Sequence, residues 1–141
     1  MKNILVTGGA GFIGSNFVRY MLNKYSNYNI INYDKLTYAG NIRNLVGVDK
    51  YKNYKFIKAD ICNYKKMKNI ILKFKPDCIV NFAAETHVDN SINKPSEFIN
   101  SNIYGTFNLL SSIIKVRSKL LFVHISTDEV YGDVLHGRSK E

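Results

Sequence analysis

The residues of this chain that could do chemistry begin with a glycine-rich segment. Residues 7–14 read T-G-G-A-G-F-I-G and lie between a short apolar run and a helical pattern. A strand, a glycine-rich turn and a helix in that order lay the pyrophosphate of a dinucleotide on a helix N-terminus. We expect Gly8 to permit a tight turn, Gly11 to let the backbone approach the phosphates, and Gly14 to let the helix pack closely on the strand.

The carboxylate of Asp34 is the second candidate. It ends a strand-like run that starts at Ile30, and it lies twenty residues past Gly14. An acid in that place accepts hydrogen bonds from the ribose hydroxyls of adenosine. A 2′-phosphate would meet the carboxylate as a like charge, so the sequence favours NAD over NADP. Lys35 is the next residue and would offset part of this repulsion, which keeps NADP as an alternative.

Thr127, Asp128 and Glu129 place a hydroxyl and two carboxylates together after an apolar run. Adjacent carboxylates in a partly closed site have separated proton affinities, which suits one to act as acid and the other as base. The alternative is a surface turn in which Asp128 and Glu129 only cap the segment that follows. The spacing does not decide between these two interpretations.

The histidines and cysteines give weaker signals. His124 lies inside an apolar run, which predicts a hydrogen-bonded core histidine rather than a ligand. His87 follows a strand-like run, and a functional role there is the less frequent case. Cys62 and Cys78 have no C-x-x-C spacing and no histidine at ligand spacing. We therefore expect two free thiols and no metal site.

Strand and helix patterns alternate along the chain, which predicts an α/β fold. The predicted strands are Asn3–Thr7, Asn29–Asp34, Tyr54–Ala59, Cys78–Ala83 and Leu120–Ser126. The predicted helices are Phe12–Tyr25, Tyr64–Phe74 and Ser96–Arg117, with a short helical turn at Asn41–Val46. Right-handed crossovers then give a doubly wound, Rossmann-like parallel sheet of about five strands in the order 3-2-1-4-5. We expect residues 1–141 to form one dinucleotide-binding domain.

Ligands in such sheets bind outside the carboxyl ends of the strands, at the switch point between strands 1 and 4. Every predicted strand end carries small or polar residues. These are Thr7-Gly8, Asp34-Lys35, Asp60-Ile61 and residues 83–87 and 126–129. The sequence therefore predicts a single site along this edge of the sheet.

The formal net charge of +9 is the feature that could indicate a nucleic-acid partner. Lysines and aromatic residues are interleaved between Lys50 and Lys75, a mixture that can hold phosphates and stack bases. The same span has regular strand and helix patterning, which favours solvated lysine faces and no nucleic-acid partner. We find neither a signal-peptide pattern nor an apolar run of membrane-spanning length, so we expect a cytoplasmic chain with no membrane partner.

The predicted helix Ser96–Arg117 carries a wide apolar stripe. Its members are Ile99, Ile103, Phe107, Leu110, Ile113 and Ile114. Such a helix is either sandwiched within the fold or buried against a second chain. We expect a homodimer, or self-association through Ser96–Arg117. Gly105 inside this helix indicates close packing on the sheet.

Four stretches of the chain resemble the extended short-chain dehydrogenase/reductase family, and within it the nucleotide-sugar 4,6-dehydratases. They are residues 7–14, 33–41, 83–89 and 126–132. The resemblance implies NAD as the cofactor and a nucleotide sugar as the substrate. It implies contacts to the pyrophosphate, the adenosine, the nicotinamide ribose and the sugar from Phe12, Ile13, Asp34, Lys35, Thr37, Asp60, Ile61, Ala83, Ala84, Thr86 and Ser101.

The resemblance also implies roles for the three residues after strand 5. The Thr127 hydroxyl corresponds to a group near the C4 oxygen of the sugar, Asp128 to the general acid and Glu129 to the general base. The implied reaction is the loss of water from the sugar, with a hydride held by NAD between C4 oxidation and reduction at C6.

One family motif has no counterpart in the expected place. The family carries a Tyr-x-x-x-Lys pair on the helix after strand 5, and this chain ends at Glu141, before that helix. Four Tyr-x-x-x-Lys matches occur, and all of them precede strand 4. We therefore expect the N-terminal, C-terminally truncated part of a dehydratase, with little activity by itself. The alternatives are a stand-alone dinucleotide-binding module without catalysis, and an epimerase or decarboxylase of the same family.

Overall fold

A five-stranded parallel sheet organises the structure, a computed structural model that describes residues 2–116, 119–132 and 137. The strands lie in the order β3-β2-β1-β4-β5, as the sequence predicts. Their bounds are Lys2–Thr7 for β1, Tyr28–Asp34 for β2, Tyr54–Lys58 for β3, Cys78–Asn81 for β4 and Leu121–His124 for β5. Parallel pairing brings the carboxyl ends of all five strands to one edge.

Alternate residues of β1 face opposite sides of the sheet, and each side has its own core. On one side Ile4 and Val6 pack with helix α1, Phe12–Lys24. On the other side Leu5 packs in a second core with helix α2, Tyr64–Phe74, and helix α5, Thr106–Lys115. The central strands are buried on both faces, which explains why they read as continuous apolar runs.

The predicted helix Ser96–Arg117 is found as three consecutive helical segments. They are α4 at Pro95–Phe98, a π-helical segment at Ile99–Gly105, and α5. Arg117, the predicted last residue, lies outside the described residues. A further helix, α3 at Val88–Asn93, precedes them. The described residues also form two 3-10 helices, at Ile42–Leu45 and at Asp128–Tyr131.

Three predicted strands end earlier than the sequence pattern indicates. Ala59, Phe82 and Ile125 still donate one backbone hydrogen bond each to a neighbouring strand, at 2.9, 2.9 and 3.1 Å. The chain then leaves the ladder toward the carboxyl edge of the sheet. The small and polar residues that follow therefore belong to loops at this edge.

The prediction of a core histidine at position 124 is wrong in part. His124 is hydrogen-bonded, to Asn81 at 3.0 Å, but its side chain is exposed. The reason is that β5 is an edge strand of the described sheet. Cys62 and Cys78 are half-buried free thiols. Burial, together with the neighbouring Asp60, raises the pKa of Cys62 to about 11, so this thiol is weakly acidic.

Across the described residues, no helix combines the length and the apolar character needed to cross a membrane.

Candidate functional site

A cleft lies at the carboxyl edge of the sheet, between the ends of β1 to β4 and the π-helical segment. Its walls are formed by Gly8, Gly11, Tyr33, Asp34, Lys35, Thr37, Ala39, Gly40, Ala59, Asp60, Ile61, Phe82, Ala83, Ala84, Glu85 and Ser101. Among the described residues, no cluster of three or more His, Cys, Asp or Glu side chains could hold a metal ion. The groups of the cleft that could bind a ligand are its carboxylates and its backbone amides, and its glycines allow a close approach to the backbone.

The turn after β1 forms one wall of the cleft and depends on Gly8. Its φ angle is +71°, a left-handed conformation that side chains other than hydrogen rarely allow. A Cβ atom at Gly8 would lie 2.5–2.7 Å from backbone atoms of Phe82 and Ala83. The turn therefore approaches the end of β4 at backbone distance. Gly14 packs against the carbonyl of Gly8, so its close contact is with the turn rather than with the strand.

Helix α1 begins directly behind this turn, with Gly11 as its N-cap residue. No side chain among the described residues caps this end, and its first turn carries no acidic residue. The Phe12 and Ile13 side chains of this first turn are exposed. Free N–H groups and the helix dipole together favour an anion at this position.

Asp34 ends β2 and joins the turn to the loop after β2. Its Oδ2 atom accepts a hydrogen bond from the Ala10 N–H at 2.8 Å, and its Oδ1 atom accepts one from the Leu36 N–H at 2.7 Å. The carboxylate is buried and lines the cleft. Each carboxylate oxygen can accept more than one hydrogen bond, so capacity remains for a ligand hydroxyl.

Lys35 pairs with Asp60 rather than with Asp34, at 2.8 Å between Nζ and Oδ2. The hydrogen bond with Asp60 raises the pKa of Lys35 against the opposing effect of burial. Partial burial acts to raise the pKa of Asp60, but Lys35 and the Cys62 N–H stabilise the carboxylate and lower it overall. Because Lys35 is engaged in this pair, the charge of Asp34 is not compensated at close range as the sequence suggested.

The loop after β4 forms the opposite wall and is held by Asn102. The Glu85 N–H donates to Asn102 Oδ1 at 2.8 Å, and Asn102 Nδ2 donates to the Glu85 carbonyl at 2.9 Å. Asn102 lies in the π-helical segment, and Gly105 of the same segment packs directly on Ile61. These contacts fix the loop and bring Ser101 to the cleft.

Thr127, Asp128 and Glu129 lie apart from the cleft walls and are exposed. The Thr127 hydroxyl caps the 3-10 helix that follows, since its Oγ1 accepts from the Glu129 N–H at 3.4 Å. Thr127 Oγ1 also lies 3.3 Å from Asp128 Oδ1. These three residues follow β5 at the same edge of the sheet as the cleft. Because they do not line the cleft, their catalytic roles remain a prediction.

The structure brings most of the expected cofactor positions to the cleft. Those that line it are Gly8, Gly11, Asp34, Lys35, Thr37, Asp60, Ile61, Ala83, Ala84 and Ser101. Those that do not are Phe12, Ile13, Gly14 and Thr86. Six further residues line the cleft that the sequence did not assign as cofactor contacts, namely Tyr33, Ala39, Gly40, Ala59, Phe82 and Glu85. For Glu85 a signal was available, because an acid directly after a buried strand lies at the ligand edge.

Comparison with known proteins agrees with this geometry. The sequence model of a family described as GDP-mannose 4,6 dehydratase matches residues 5–141. The dTDP-glucose 4,6-dehydratase of Escherichia coli is 48% identical over 141 residues, a match that covers 94% of this chain and 39% of that protein.

Two solved structures are similar to this chain over nearly all of its length. The dTDP-glucose 4,6-dehydratase of Bacillus anthracis str. Ames, in complex with NAD, has a TM-score of 0.86 at 46% identity and covers 100% of this chain. The dTDP-glucose 4,6-dehydratase DesIV of Streptomyces venezuelae, with NAD and TYD bound, has a TM-score of 0.87 at 42% identity and covers 96%. This chain spans 43% and 42% of those chains.

Proposed function

This chain belongs to the GDP-mannose 4,6 dehydratase family, and on that premise we propose that it is the NAD-binding part of a nucleotide-sugar 4,6-dehydratase. The proposed substrate is dTDP-glucose, and the proposed products are the 4-keto-6-deoxy sugar nucleotide and water. One observation carries the proposal. A free helix N-terminus at Gly11 and a buried carboxylate at Asp34 line the same cleft.

The residues of the cleft fit a dinucleotide with an unmodified ribose. The turn at Gly8 packs at backbone distance on the end of β4, and the uncapped N-terminus of α1 follows it, where the amides of the first turn could bind a pyrophosphate. Asp34 retains lone pairs for ribose hydroxyls and would repel a 2′-phosphate. Tyr33 and Ile61 supply apolar surface to the same cleft as the Lys35–Asp60 ion pair.

When bound, NAD supplies the acceptor for a hydride and later returns it. The chain's own residues would handle protons. In the proposal Thr127 holds the C4 oxygen of the sugar, Glu129 removes the proton from C5, and Asp128 protonates the C6 hydroxyl so that it leaves as water. Each positioned acid or base of this kind contributes about 10²–10⁴-fold to the rate.

The test is the cofactor preference of the purified protein, measured by titration calorimetry. We expect NAD⁺ to bind more tightly than NADP⁺ by roughly tenfold or more, since two like charges at contact oppose each other by several kcal/mol near a protein surface. The change Asp34→Asn keeps the size of the side chain and removes its charge. We expect this variant to bind NAD⁺ more weakly than the parent does, and the ratio of its NAD⁺ and NADP⁺ affinities to be smaller.

Asp49→Asn serves as the matched control, because Asp49 is exposed and is not part of the cleft lining. It should bind both cofactors as the parent does. Equal affinity of the parent for NAD⁺ and NADP⁺, or no binding of either, would refute the proposed cofactor site.

We also expect two copies of the chain to associate through the apolar stripe on the helical segments Pro95–Lys115. Ile99, Ile103, Phe107, Leu110 and Ile114 are exposed in the described structure, whereas Ile113 packs in the core. Burying one such side chain stabilises an interface by about 1.5–3 kcal/mol. In a symmetric dimer the change Phe107→Glu is counted twice, so we expect at least about a hundredfold weaker association.

Sedimentation measures this effect, with Leu72→Glu as the control on helix α2. Leu72 is exposed to a similar degree but lies on a different helix. A parent protein that stays monomeric at high micromolar concentration would contradict the expectation, and so would equal effects of the two variants.

A further inference from the structure

Three polar side chains form a row across the sheet, one residue before the loops that carry the site. Thr7 ends β1, Asn81 ends β4 and His124 ends β5. Thr7 is in register with Asn81, and Asn81 with His124. Because side chains alternate between the faces of a strand, this register points all three to the same side of the sheet.

The three side chains are joined by hydrogen bonds. The Thr7 hydroxyl donates to Asn81 Oδ1. Asn81 Nδ2 lies 3.0 Å from His124 Nδ1. Thr7 and Asn81 are fully buried and do not contact solvent, whereas His124 is exposed. A buried amide that loses its partners is costly, and this constrains how the row can rearrange.

The direction of these hydrogen bonds depends on the proton of His124. When Nδ1 is unprotonated it accepts from Asn81 Nδ2, and Asn81 Oδ1 is then turned to Thr7. A protonated Nδ1 can only donate. The row stays satisfied only if the amide of Asn81 turns over, so that Oδ1 accepts from His124 and Nδ2 donates to Thr7. A hydroxyl both donates and accepts, so Thr7 tolerates either direction.

Two uncharged side chains lie against the imidazole of His124. Asn81 of β4 forms a hydrogen bond with the imidazole. Phe122, on β5 like His124, stacks on the imidazole with 6.2 Å between the ring centroids. The nearest acidic residues along the chain are Asp128 and Glu129. In the part of the chain that the structure describes, no carboxylate forms an ion pair with His124.

We propose that Thr7, Asn81 and His124 form a two-state hydrogen-bond relay, and that His124 acts through it as a positioning residue. Gly8 follows Thr7, the cleft wall at Phe82 follows Asn81, and the Thr127 segment follows His124 by three residues. Through this relay, the protonation state of His124 therefore affects three segments: the turn after β1, the loop after β4 and the segment after β5. The consequence for the cofactor cleft rests on the proposed function, whereas the relay itself does not.

Nitrogen-15 NMR of the unmodified protein tests the relay directly, over the range of about pH 5 to 8 in which histidines titrate. At the high end we expect the His124 proton on Nε2, with Nδ1 as an acceptor. As the ring is protonated, the side-chain amide signal of Asn81 should move in step with it. His87, which is exposed, is the internal control, and its titration should leave the Asn81 signal unchanged. A proton on Nδ1 at the high end, or an Asn81 signal that ignores His124, overturns the proposal.

A second measurement tests the positioning role. In the His124→Gln variant, the amide oxygen of glutamine can replace His124 Nδ1 as the acceptor for Asn81 Nδ2. The leucine of the His124→Leu variant has no acceptor atom. We expect His124→Leu to weaken NAD⁺ binding about two- to tenfold, the value of one hydrogen bond, and His124→Gln to restore most of it. Equal affinities of the two variants refute the positioning role. A parent that binds no NAD⁺ refutes the proposed function instead, and the spectra then decide the relay alone.

Discussion

Replacement of Gly8 by Ala is expected to destabilise the protein by about 2–5 kcal/mol and to abolish measurable NAD⁺ binding. The left-handed φ of +71° costs a side-chain-bearing residue roughly 1–2 kcal/mol. The new Cβ would also lie 2.5–2.7 Å from the backbone of Phe82 and Ala83. Overpacking of this kind adds about 1–3 kcal/mol. The sum is a large share of the roughly 5–15 kcal/mol that stabilises a domain.

Gly47→Ala separates the two causes. Gly47 has a φ of +81°, and no atom of the described residues lies within 4 Å of where its Cβ would be. It should therefore show only the conformational cost and should keep its affinity for NAD⁺. Urea denaturation of both variants measures the difference. If the two glycine variants lower the free energy of unfolding by the same amount, the close approach of the Gly8 turn to the end of β4 does not contribute to the cost of a side chain there.

The sheet could be predicted from the sequence because its strands are buried on both faces. Runs such as Ile4-Leu5-Val6 carry an unbroken apolar signal, and the polar residues between them mark the loops. The handedness of strand–helix–strand crossovers then left few strand orders to choose from, and the order 3-2-1-4-5 is confirmed. Strand ends were less accurate, because Ala59, Phe82 and Ile125 keep one hydrogen bond after the ladder has ended.

Contacts between residues far apart in sequence could not be predicted in the same way. Asn102 holds both backbone groups of Glu85, and nothing in either segment alone reveals the other. The sequence showed Gly105 inside a helix and indicated close packing, which the contact with Ile61 explains. It did not show that the helix widens to a π-helix there. The hydrogen bond from the Ala10 N–H to Asp34 was missed for the same reason, since its donor lies 24 residues away in the turn after β1.

The residues after β5 have catalytic roles that only the family resemblance implies, and none of them lines the cleft. Thr127, Asp128 and Glu129 are exposed and follow an edge strand of the described sheet. The sequence alternative had Asp128 and Glu129 cap the segment that follows, whereas in the structure the hydroxyl of Thr127 caps the 3-10 helix. A capping role does not exclude a catalytic one, because the Asp128 and Glu129 carboxylates carry no ion pair among the described residues.

Substitution of these two carboxylates should have the largest effect on activity, in a protein of the relatives' length that begins with this chain. With dTDP-glucose as substrate, we expect Asp128→Asn to spare oxidation at C4 but to slow water loss by about 10²–10⁴-fold, since the leaving hydroxyl loses its proton donor. We expect Glu129→Gln to slow exchange of the C5 proton with solvent by a similar factor. Both variants keep the shape of the side chain, and neither residue lines the cleft, so NAD⁺ affinity should stay at the parent value.

Three readouts on the same samples separate the roles. Absorbance of the reduced cofactor reports C4 oxidation, deuterium incorporation at C5 reports proton removal, and release of the 4-keto-6-deoxy product reports water loss. Asp49→Asn is the matched control and should match the parent in all three. If both site variants form product at the parent rate, the acid and base roles are assigned to the wrong residues. If the parent binds NAD⁺ and shows none of the three signals, the chain belongs to a dinucleotide-binding module without this catalysis.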